Sequence, residues 1–194
     1  WFAENRYVYE SELRAVKRFI PSQGEGVEIG IGSGKFADPL GIKTGVEPSG
    51  SMKELAEKRG LEVYDAVAED LPFEDEQFDY ALMVTTICFV DDIDRSFREM
   101  FRILKPGGCV VLGFVDRNSL LGQIYEKYKS QNIFYRIATF FSAEEVLGLL
   151  DKHGFKKPEV IQTVFGELPN IKEVQEVRDG YGDGGFVVIK AEKL

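Results

Sequence analysis

Apolar residues recur at helical spacing in four segments of the chain. The helices predicted from this period cover residues 10–20, 49–60, 94–104 and 142–154. In the first of them the apolar stripe consists of Leu13, Val16 and Ile20. Ser49 and Ser142 are suited to cap the second and fourth helices, which are expected to end at glycines.

Short apolar runs lie between these helices and predict seven strands. The runs cover residues 27–31, 43–47, 61–67, 79–86, 109–114, 159–165 and 186–191. Pro39 and Gly41 leave room for only a turn or two of helix between the first two strands, and residues 105–108 are expected to turn into the fifth. The alternation predicts an α/β protein with a doubly wound, mostly parallel sheet, whose last two strands form a C-terminal antiparallel hairpin.

Length and charge narrow the class of protein. The chain has 194 residues, 44% of them hydrophobic, which predicts a single domain over residues 1–194. Its formal net charge of −9 disfavours binding to nucleic acid or to an anionic membrane surface. Cys88 and Cys109 lack the spacing of a zinc site or a disulfide scaffold, so no metal and a reducing, cytoplasmic location are expected. The sequence leaves the oligomeric state open.

A glycine-rich segment directly follows the first predicted strand. It reads VEIGIGSG over residues 27–34, with glycines at positions 30, 32 and 34. Glycines here allow the backbone to turn tightly and to approach a ligand closely. The G-x-G-x-G spacing departs from the G-x-G-x-x-G of dinucleotide-binding proteins, and no Lys-Ser/Thr pair of a phosphate-binding loop follows. The segment therefore indicates a ligand loop, with a purely structural turn as the alternative.

Glu47 lies at the predicted end of the second strand. A carboxylate at this point can accept hydrogen bonds from both hydroxyls of a ribose, and it would repel a 2′-phosphate. An acidic residue at a strand end is often only a solvated loop residue. Its position relative to the glycines favours a nucleoside site instead.

Four sequence blocks resemble the class I S-adenosylmethionine-dependent methyltransferases, specifically the small-molecule branch similar to the ubiquinone/menaquinone-type enzymes. The blocks are VEIGIGSG at 27–34, GVEPSGSM at 45–52, AEDLPFEDEQFDYALMV at 68–84 and REMFRILKPGGCVVLG at 98–113. The resemblance implies a Rossmann-like methyltransferase fold, S-adenosyl-L-methionine as the co-substrate, and a small-molecule methyl acceptor. Transfer of this kind is an in-line displacement, to which positioning of the acceptor contributes strongly.

The same resemblance implies positions for the co-substrate. The glycine loop would hold its methionine portion with Glu28 near the amino group, and Glu47 would hold the ribose hydroxyls. Residues 52, 68, 69 and 71 would lie beside the adenine, and residues 85 and 86 near the sulfonium. The implied co-substrate residues are Glu28, Gly30, Gly32, Gly34, Glu47, Pro48, Met52, Ala68, Glu69, Leu71, Thr85 and Thr86.

Two positions depart from the family pattern. Val67 stands where related enzymes often carry an aspartate, so adenine recognition is expected from backbone groups or Glu69. Cys88 begins a segment where related enzymes often carry a histidine. The catalytic residue is therefore unknown, with Asp116 and Cys88 as candidates, and reactive acceptors need no base. His153 is expected to cap a helix or to face solvent.

Two aromatic segments outside the four blocks are candidates for acceptor binding. Residues 1–20 are expected to form an N-terminal lid and helix, with aromatic residues concentrated in Trp1–Tyr9, and residues 116–141 a helical cap insertion. The cap aromatics are Tyr125, Tyr128, Phe134, Tyr135, Phe140 and Phe141. Their rings can surround a flat or cationic acceptor, or simply pack the cap onto the core.

The sequence leaves three functions open. The favoured one is methyl transfer to a nitrogen, oxygen or carbon atom of a small neutral or cationic molecule, such as an amine or a phenol. A non-catalytic nucleoside-binding module is the alternative. An NAD-binding oxidoreductase is disfavoured by the glycine spacing.

Overall fold

The computed structural model describes residues 2–133 and 135–194. Its strands are β1 Gly26–Ile29, β2 Thr44–Val46, β3 Glu62–Tyr64, β4 Phe78–Val84, β5 Leu104–Val115, β6 Phe155–Thr163, β7 Arg178–Asp179 and β8 Phe186–Lys193. Its helices are α1 Arg6–Phe19, α2 Ala37–Leu40, α3 Gly50–Glu57, α4 Ile93–Ile103, α5 Leu120–Tyr128 and α6 Ala143–Lys152. The described strands form one sheet in the order β3-β2-β1-β4-β5-β8-β6-β7.

The strand directions confirm the predicted sheet. The strands from β3 to β5 in this order are mutually parallel, whereas β8 is antiparallel to both β5 and β6. The predicted count of seven is one short, because Arg178–Asp179 adds a strand of two residues beside β6. A strand this short has no hydrophobic period that a sequence could display.

Strand β5 begins earlier than expected and contains the predicted turn as a bulge. Its pairing with β4 passes from Phe78↔Leu104 directly to Tyr80↔Cys109, with a shift of register between the two pairs. The intervening residues 105–108 are therefore accommodated by an irregularity within the strand rather than by a loop ahead of it.

Helices cover both faces of the sheet, as the doubly wound prediction requires. Along β4, Ala81 and Met83 pack with α4 and α6 on one face. Leu82 and Val84 pack with α1, α2 and α3 on the other. The run is continuously apolar because alternate side chains enter two different cores. No helix in the described ranges is long and apolar enough to cross a membrane.

The N-terminal helix buries a different face from the one predicted. Its buried residues are Val8, Ser11, Glu12, Ala15 and Val16. Val16 also belongs to the predicted stripe, whereas residues 13 and 20 of that stripe pack against the core but are only partly buried. Since α1 packs against β5, β6 and β8, this rotation carries the carboxyl group of Glu12 into the interior.

The predicted helix signals are confirmed at most termini. Ser142 and Glu145 form both hydrogen bonds of a capping box at the start of α6. The stretch with Pro39 and Gly41 yields only the four-residue α2. Ser49 precedes α3 as expected, but its side chain does not cap the helix.

Candidate active site

The glycine loop crosses the carboxyl ends of neighbouring strands. Gly30, Gly32 and Gly34 adopt φ values of +70°, +54° and +76°, in the region that favours glycine. The backbone N–H of Gly30 donates to the carbonyl of Val46 at the end of β2, at 3.0 Å. A Cβ atom on Gly30 would lie only 2.3 Å from the Thr86 side chain, so the loop passes this close only because residue 30 has none.

Glu47 joins this loop to the start of α3. One carboxylate oxygen accepts the backbone N–H of Gly32, and the other accepts that of Ser49, each at 2.9 Å. A carboxylate oxygen has more than one acceptor position, so Glu47 keeps the capacity to accept from hydroxyl groups of a ligand. The structure thus brings the predicted acidic residue and the predicted loop into direct contact.

Glu28 lies behind the loop with a carboxyl oxygen that lacks a partner. Its side chain is buried, and no described group forms a hydrogen bond with Oε2. Burial raises the pKa of Glu28 well above its usual range, a hydrogen bond from the backbone of Ala37 opposes this, and the charge of Glu47 adds to it. An unpaired buried acceptor costs roughly 1–3 kcal/mol.

The residues expected beside an adenine differ in exposure. Ala68 and Leu71 are buried, whereas Met52 is exposed in α3. Pro48, expected at the co-substrate but not beside its adenine, is exposed ahead of this helix. One oxygen of Glu69 accepts the backbone N–H groups of residues 91 and 92, at 2.7 and 3.0 Å. That oxygen therefore holds the segment before α4.

Arg102 fixes the backbone around Leu71. Its guanidinium donates to the carbonyls of Leu71 and Phe73, at 3.1 and 2.7 Å, and to the carboxylate of Glu99 at 2.7 Å. Glu99 in turn accepts the backbone N–H of Leu71 at 2.9 Å, and its pKa is lowered chiefly by the bond from Arg102. This network holds the 71–73 segment against α4.

Thr85 and Thr86 follow β4 beside the glycine loop. Thr85 has a φ of +52°, a strained conformation for a β-branched residue and one that concentrates at functional sites. The hydroxyl of Thr86 lies 3.2 Å from the carbonyl of Gly30 and 3.1 Å from that of Val84, so it can donate to either. These residues connect the loop with a cleft that opens beyond β4.

The cleft has a volume of about 420 Å³ and a largely aromatic wall. Its lining includes Phe2, Glu12, Phe36, Thr85, Ile87, Cys88, Phe89, Tyr125, Tyr135, Phe140 and Phe141. The rings of Tyr125 and Tyr135 stack at 4.9 Å between centroids, and that of Phe140 lies within 6 Å of both. The two aromatic segments predicted for acceptor binding therefore meet at one cleft. Trp1 and Phe134, also named in that prediction, lie outside the described residues.

The two candidates for the catalytic residue differ in their relation to the cleft. Cys88 lines the cleft, but burial raises the pKa of its thiol to about 12. Asp116 is buried directly after Val115, which lines the cleft, but does not line it itself, and it accepts the backbone N–H of Asn118 at 3.0 Å. Burial also raises the pKa of Asp116. Its carboxylate holds the turn after β5.

His153 lies at the C-terminal cap of α6, as predicted, but its ring is buried rather than solvent-exposed. Its Nε2 atom lies 2.7 Å from the carboxylate of Asp94 at the beginning of α4. This contact connects α6 with α4. His153 does not line the cleft.

The sequence interpretation missed several residues of the cleft, among them Phe36 and Glu12. Phe36 follows the glycine loop and lines the cleft, and its ring centroid lies 5.5 Å from that of Tyr9. Glu12 is a charged residue in the middle of the buried face of α1, four positions from both Val8 and Val16. An acidic residue within an apolar stripe is the sequence feature from which a functional role of Glu12 could have been predicted.

Comparison with known proteins agrees with this geometry. Residues 27–112 match the family model of a methyltransferase domain. The chain is 53% identical to a protein of Thermotoga maritima whose crystal structure is described as a SAM-dependent methyltransferase, possible histamine N-methyltransferase. The two structures have a TM-score of 0.98, over 100% of this chain and 93% of the other. The chain belongs to the S-adenosylmethionine-dependent methyltransferases.

Other relatives of this methyltransferase are similar over much of their length. An uncharacterised protein of Methanocaldococcus jannaschii is 47% identical over 100% of this chain and 94% of its own length. A demethylmenaquinone methyltransferase of Chlorobaculum parvum is 27% identical over 72% of this chain and 68% of its own. The protein is thus an enzyme with S-adenosyl-L-methionine as its co-substrate, and the family predicted from the four blocks is confirmed.

Proposed function

We propose that this methyltransferase transfers a methyl group from S-adenosylmethionine to a small molecule bound in the aromatic cleft. The observation that carries the proposal is the continuity between glycine loop and cleft. Thr86 is within hydrogen-bond distance of the carbonyl of Gly30, and its neighbour Thr85 lines the cleft. A donor on the loop and an acceptor in the cleft would then meet at the end of β4, where open parallel sheets bind ligands.

The co-substrate would be held by the carboxylate of Glu47 and by the buried carboxyl group of Glu28. Glu47 would accept the ribose hydroxyls while it keeps its bonds to Gly32 and Ser49. Glu28 would use its unpartnered oxygen toward the amino group of the methionine portion. The buried surfaces of Ala68 and Leu71 would pack beside the adenine. When bound, the co-substrate supplies an electrophilic methyl group on a sulfonium.

The acceptor would occupy the cleft between the N-terminal and cap segments. Under this proposal residues 1–194 act as a single methyltransferase domain, with 1–20 as its lid and 116–141 as a cap insertion. The volume of the cleft, about 420 Å³, is in the range of small-ligand sites. The net charge of −9 favours a small molecule over nucleic acid.

A small amine is the acceptor class that best fits these features. Aromatic rings attract amines through their faces once a positive charge is present. The Thermotoga maritima protein described as a possible histamine N-methyltransferase supports the same class. Because Cys88 holds its proton, catalysis would depend on positioning and on the nucleophilicity of the acceptor, which is sufficient for a neutral amine.

Two measurements test the proposal. Calorimetry should show binding of S-adenosylmethionine and S-adenosylhomocysteine and no binding of NAD. Transfer of a labelled methyl group should then be found within a panel of amines, phenols and carboxylic acids, most strongly among the amines. Failure of both sulfur nucleosides to bind would contradict the proposal. Binding of the nucleosides without methyl transfer to any compound of the panel would favour a non-catalytic binding module.

A further inference from the structure

Glu12 is a buried carboxyl group in the wall of the aromatic cleft. Its residue is 4% exposed and lies on the face of α1 that packs onto the sheet. Burial alone raises the pKa of Glu12, to about 8, and no described residue donates a hydrogen bond that would offset this. The carboxyl group therefore lacks the internal partner that buried acidic groups normally have.

The surroundings of Glu12 contain rings and no opposing charge. Among the described residues that line the cleft, Glu12 is the only one with an acidic carboxyl group, and none has a basic side chain. The stacked rings of Tyr125 and Tyr135 belong to the same wall, and the charge of Glu12 acts on the phenol of Tyr135. A carboxylate beside aromatic faces is the combination that binds an organic cation, since both attract positive charge.

An unpaired carboxyl group at this position is unfavourable to folding. A leucine would complete the apolar face formed by Val8, Ala15 and Val16 without any desolvation penalty. Because no described residue donates to this acid, a partner that enters the cleft would supply the compensating interaction. This partner would have to carry a positive charge or a strong hydrogen-bond donor.

We propose that Glu12 is the residue that recognises a positively charged nitrogen of the methyl acceptor, so that the cleft selects small ammonium compounds over neutral molecules of the same shape. The inference rests on the proposed function, because it assumes that the aromatic cleft is the acceptor site. It concerns binding, which is separate from the methylation step, where the accepting atom needs a free lone pair.

Matched pairs of probes separate charge from shape. Phenethylamine and 2-phenylethanol differ chiefly in the charged nitrogen, and choline and 3,3-dimethyl-1-butanol form a second pair whose cation cannot be methylated. Binding is measured by calorimetry with the full chain saturated with S-adenosylhomocysteine. We expect each cation to bind at least about tenfold more tightly than its neutral partner, as is typical of a charge-assisted contact.

Variants at position 12 assign the preference to this residue. Glu12→Gln keeps the shape of the side chain, and Glu12→Leu tests an apolar replacement if the first variant folds poorly. Both should lose the preference for cations and retain their affinity for S-adenosylhomocysteine. Glu10→Gln is the matched control, because Glu10 lies on the same helix, pairs with Arg6 at 2.6 Å and does not line the cleft. It should retain the preference.

A second measurement needs no variant. At pH 7 most of the Glu12 carboxyl groups are protonated, so formation of an ion pair should release a proton. Calorimetry in two buffers of different ionisation enthalpy counts that proton. The thiol of Cys88 and the phenol of Tyr135 also line the cleft. Both have raised pKa values, so both stay neutral at pH 7 and do not contribute to the proton count.

The possible results distinguish the two proposals. Equal binding of cation and neutral partner, absence of binding by any cation, or a cation preference that survives in Glu12→Gln would each overturn the assignment of Glu12. If S-adenosylhomocysteine still binds, none of these three results contradicts the proposed methyltransferase function. Loss of nucleoside binding in the unmodified chain would instead count against the proposed function itself.

Discussion

The carboxylate of Glu47 accepts the backbone N–H of Gly32 at 2.9 Å and so ties the end of β2 to the loop that follows β1. Its other oxygen holds the N–H of Ser49 at the same distance. One side chain therefore sets the spacing between the glycine loop and α3. The same two oxygens are the groups that we propose to bind the ribose of the co-substrate.

Replacement of Glu47 by alanine should lower the affinity for S-adenosylhomocysteine by about ten- to a hundredfold, the loss expected for charge-assisted hydrogen bonds. Glu47→Gln should show an intermediate loss, because an amide accepts through only one atom. Calorimetry measures both. Glu54→Ala, at an exposed position of α3, is the control, and full affinity in Glu47→Ala would remove the ribose assignment.

Alanine at Gly30 should destabilise the fold by roughly 1–3 kcal/mol, since it adds backbone strain to a clash with Thr86. Gly60→Ala separates the two causes, because Gly60 has a φ of +81° but open space around its Cβ position. It should cost less. Urea unfolding with a common slope measures the difference, and equal losses in the two variants would mean that the contact with Thr86 relaxes freely.

Glu12→Gln should stabilise the protein at alkaline pH and have little effect in acid. In the folded protein the pKa of Glu12 is about 8, above the ordinary value of 4.5, so the fold favours the protonated form. Stability contributed by that form is complete below pH 4.5 and is lost as the pH rises toward 8. The advantage of the variant should therefore grow over this interval, by at most about 5 kcal/mol.

Urea unfolding at pH 4.5 and pH 8.5 tests this expectation, with Glu10→Gln as the control on the same helix, at a partly exposed position. A gain of equal size at both pH values would show that the effect comes from packing and not from titration. Together with the loss of cation binding, a gain at high pH would identify Glu12 as a residue retained for binding at the expense of stability.

Both thiols should react slowly in the native protein. Burial raises the pKa of Cys88 to about 12 and that of Cys109 to about 11, so little thiolate is present at pH 8. A colorimetric disulfide reagent should react rapidly with both thiols of the unfolded protein in denaturant. In the native protein it should react rapidly with neither. Fast reaction of one native thiol would indicate Cys88, since it lines the cleft, and saturating acceptor should then protect it.

Much of the proposed co-substrate side could be predicted because the proximity of its residues follows from sheet geometry. Parallel strands place their carboxyl ends at one edge, so a glycine loop after β1 and Glu47 after β2 must be neighbours if both strands are identified. The apolar run of β4 locates Thr85 and Thr86 at the same edge. Local sequence is sufficient for these juxtapositions.

The acceptor side depends on packing between distant segments and was therefore missed in part. The stripe of Leu13 and Val16 and the stripe of Glu12 and Val16 both fit a helical period, and only contact with the sheet selects the second. His153 was expected to be capping or exposed because its partner, Asp94, belongs to another helix. Such contacts leave no periodic signal in the chain.

The position of β8 has a consequence for the order in which the enzyme can be assembled. Among the described strands, β6 pairs only with β7 and β8, so it has no link to β5 until residues 186–193 have been synthesised. Helix α1 packs against β5, β6 and β8 and lacks its complete support until then. Glu12 precedes every strand in the sequence, yet its side of the cleft would be completed last during translation, after the parallel strands of the co-substrate side are available to fold.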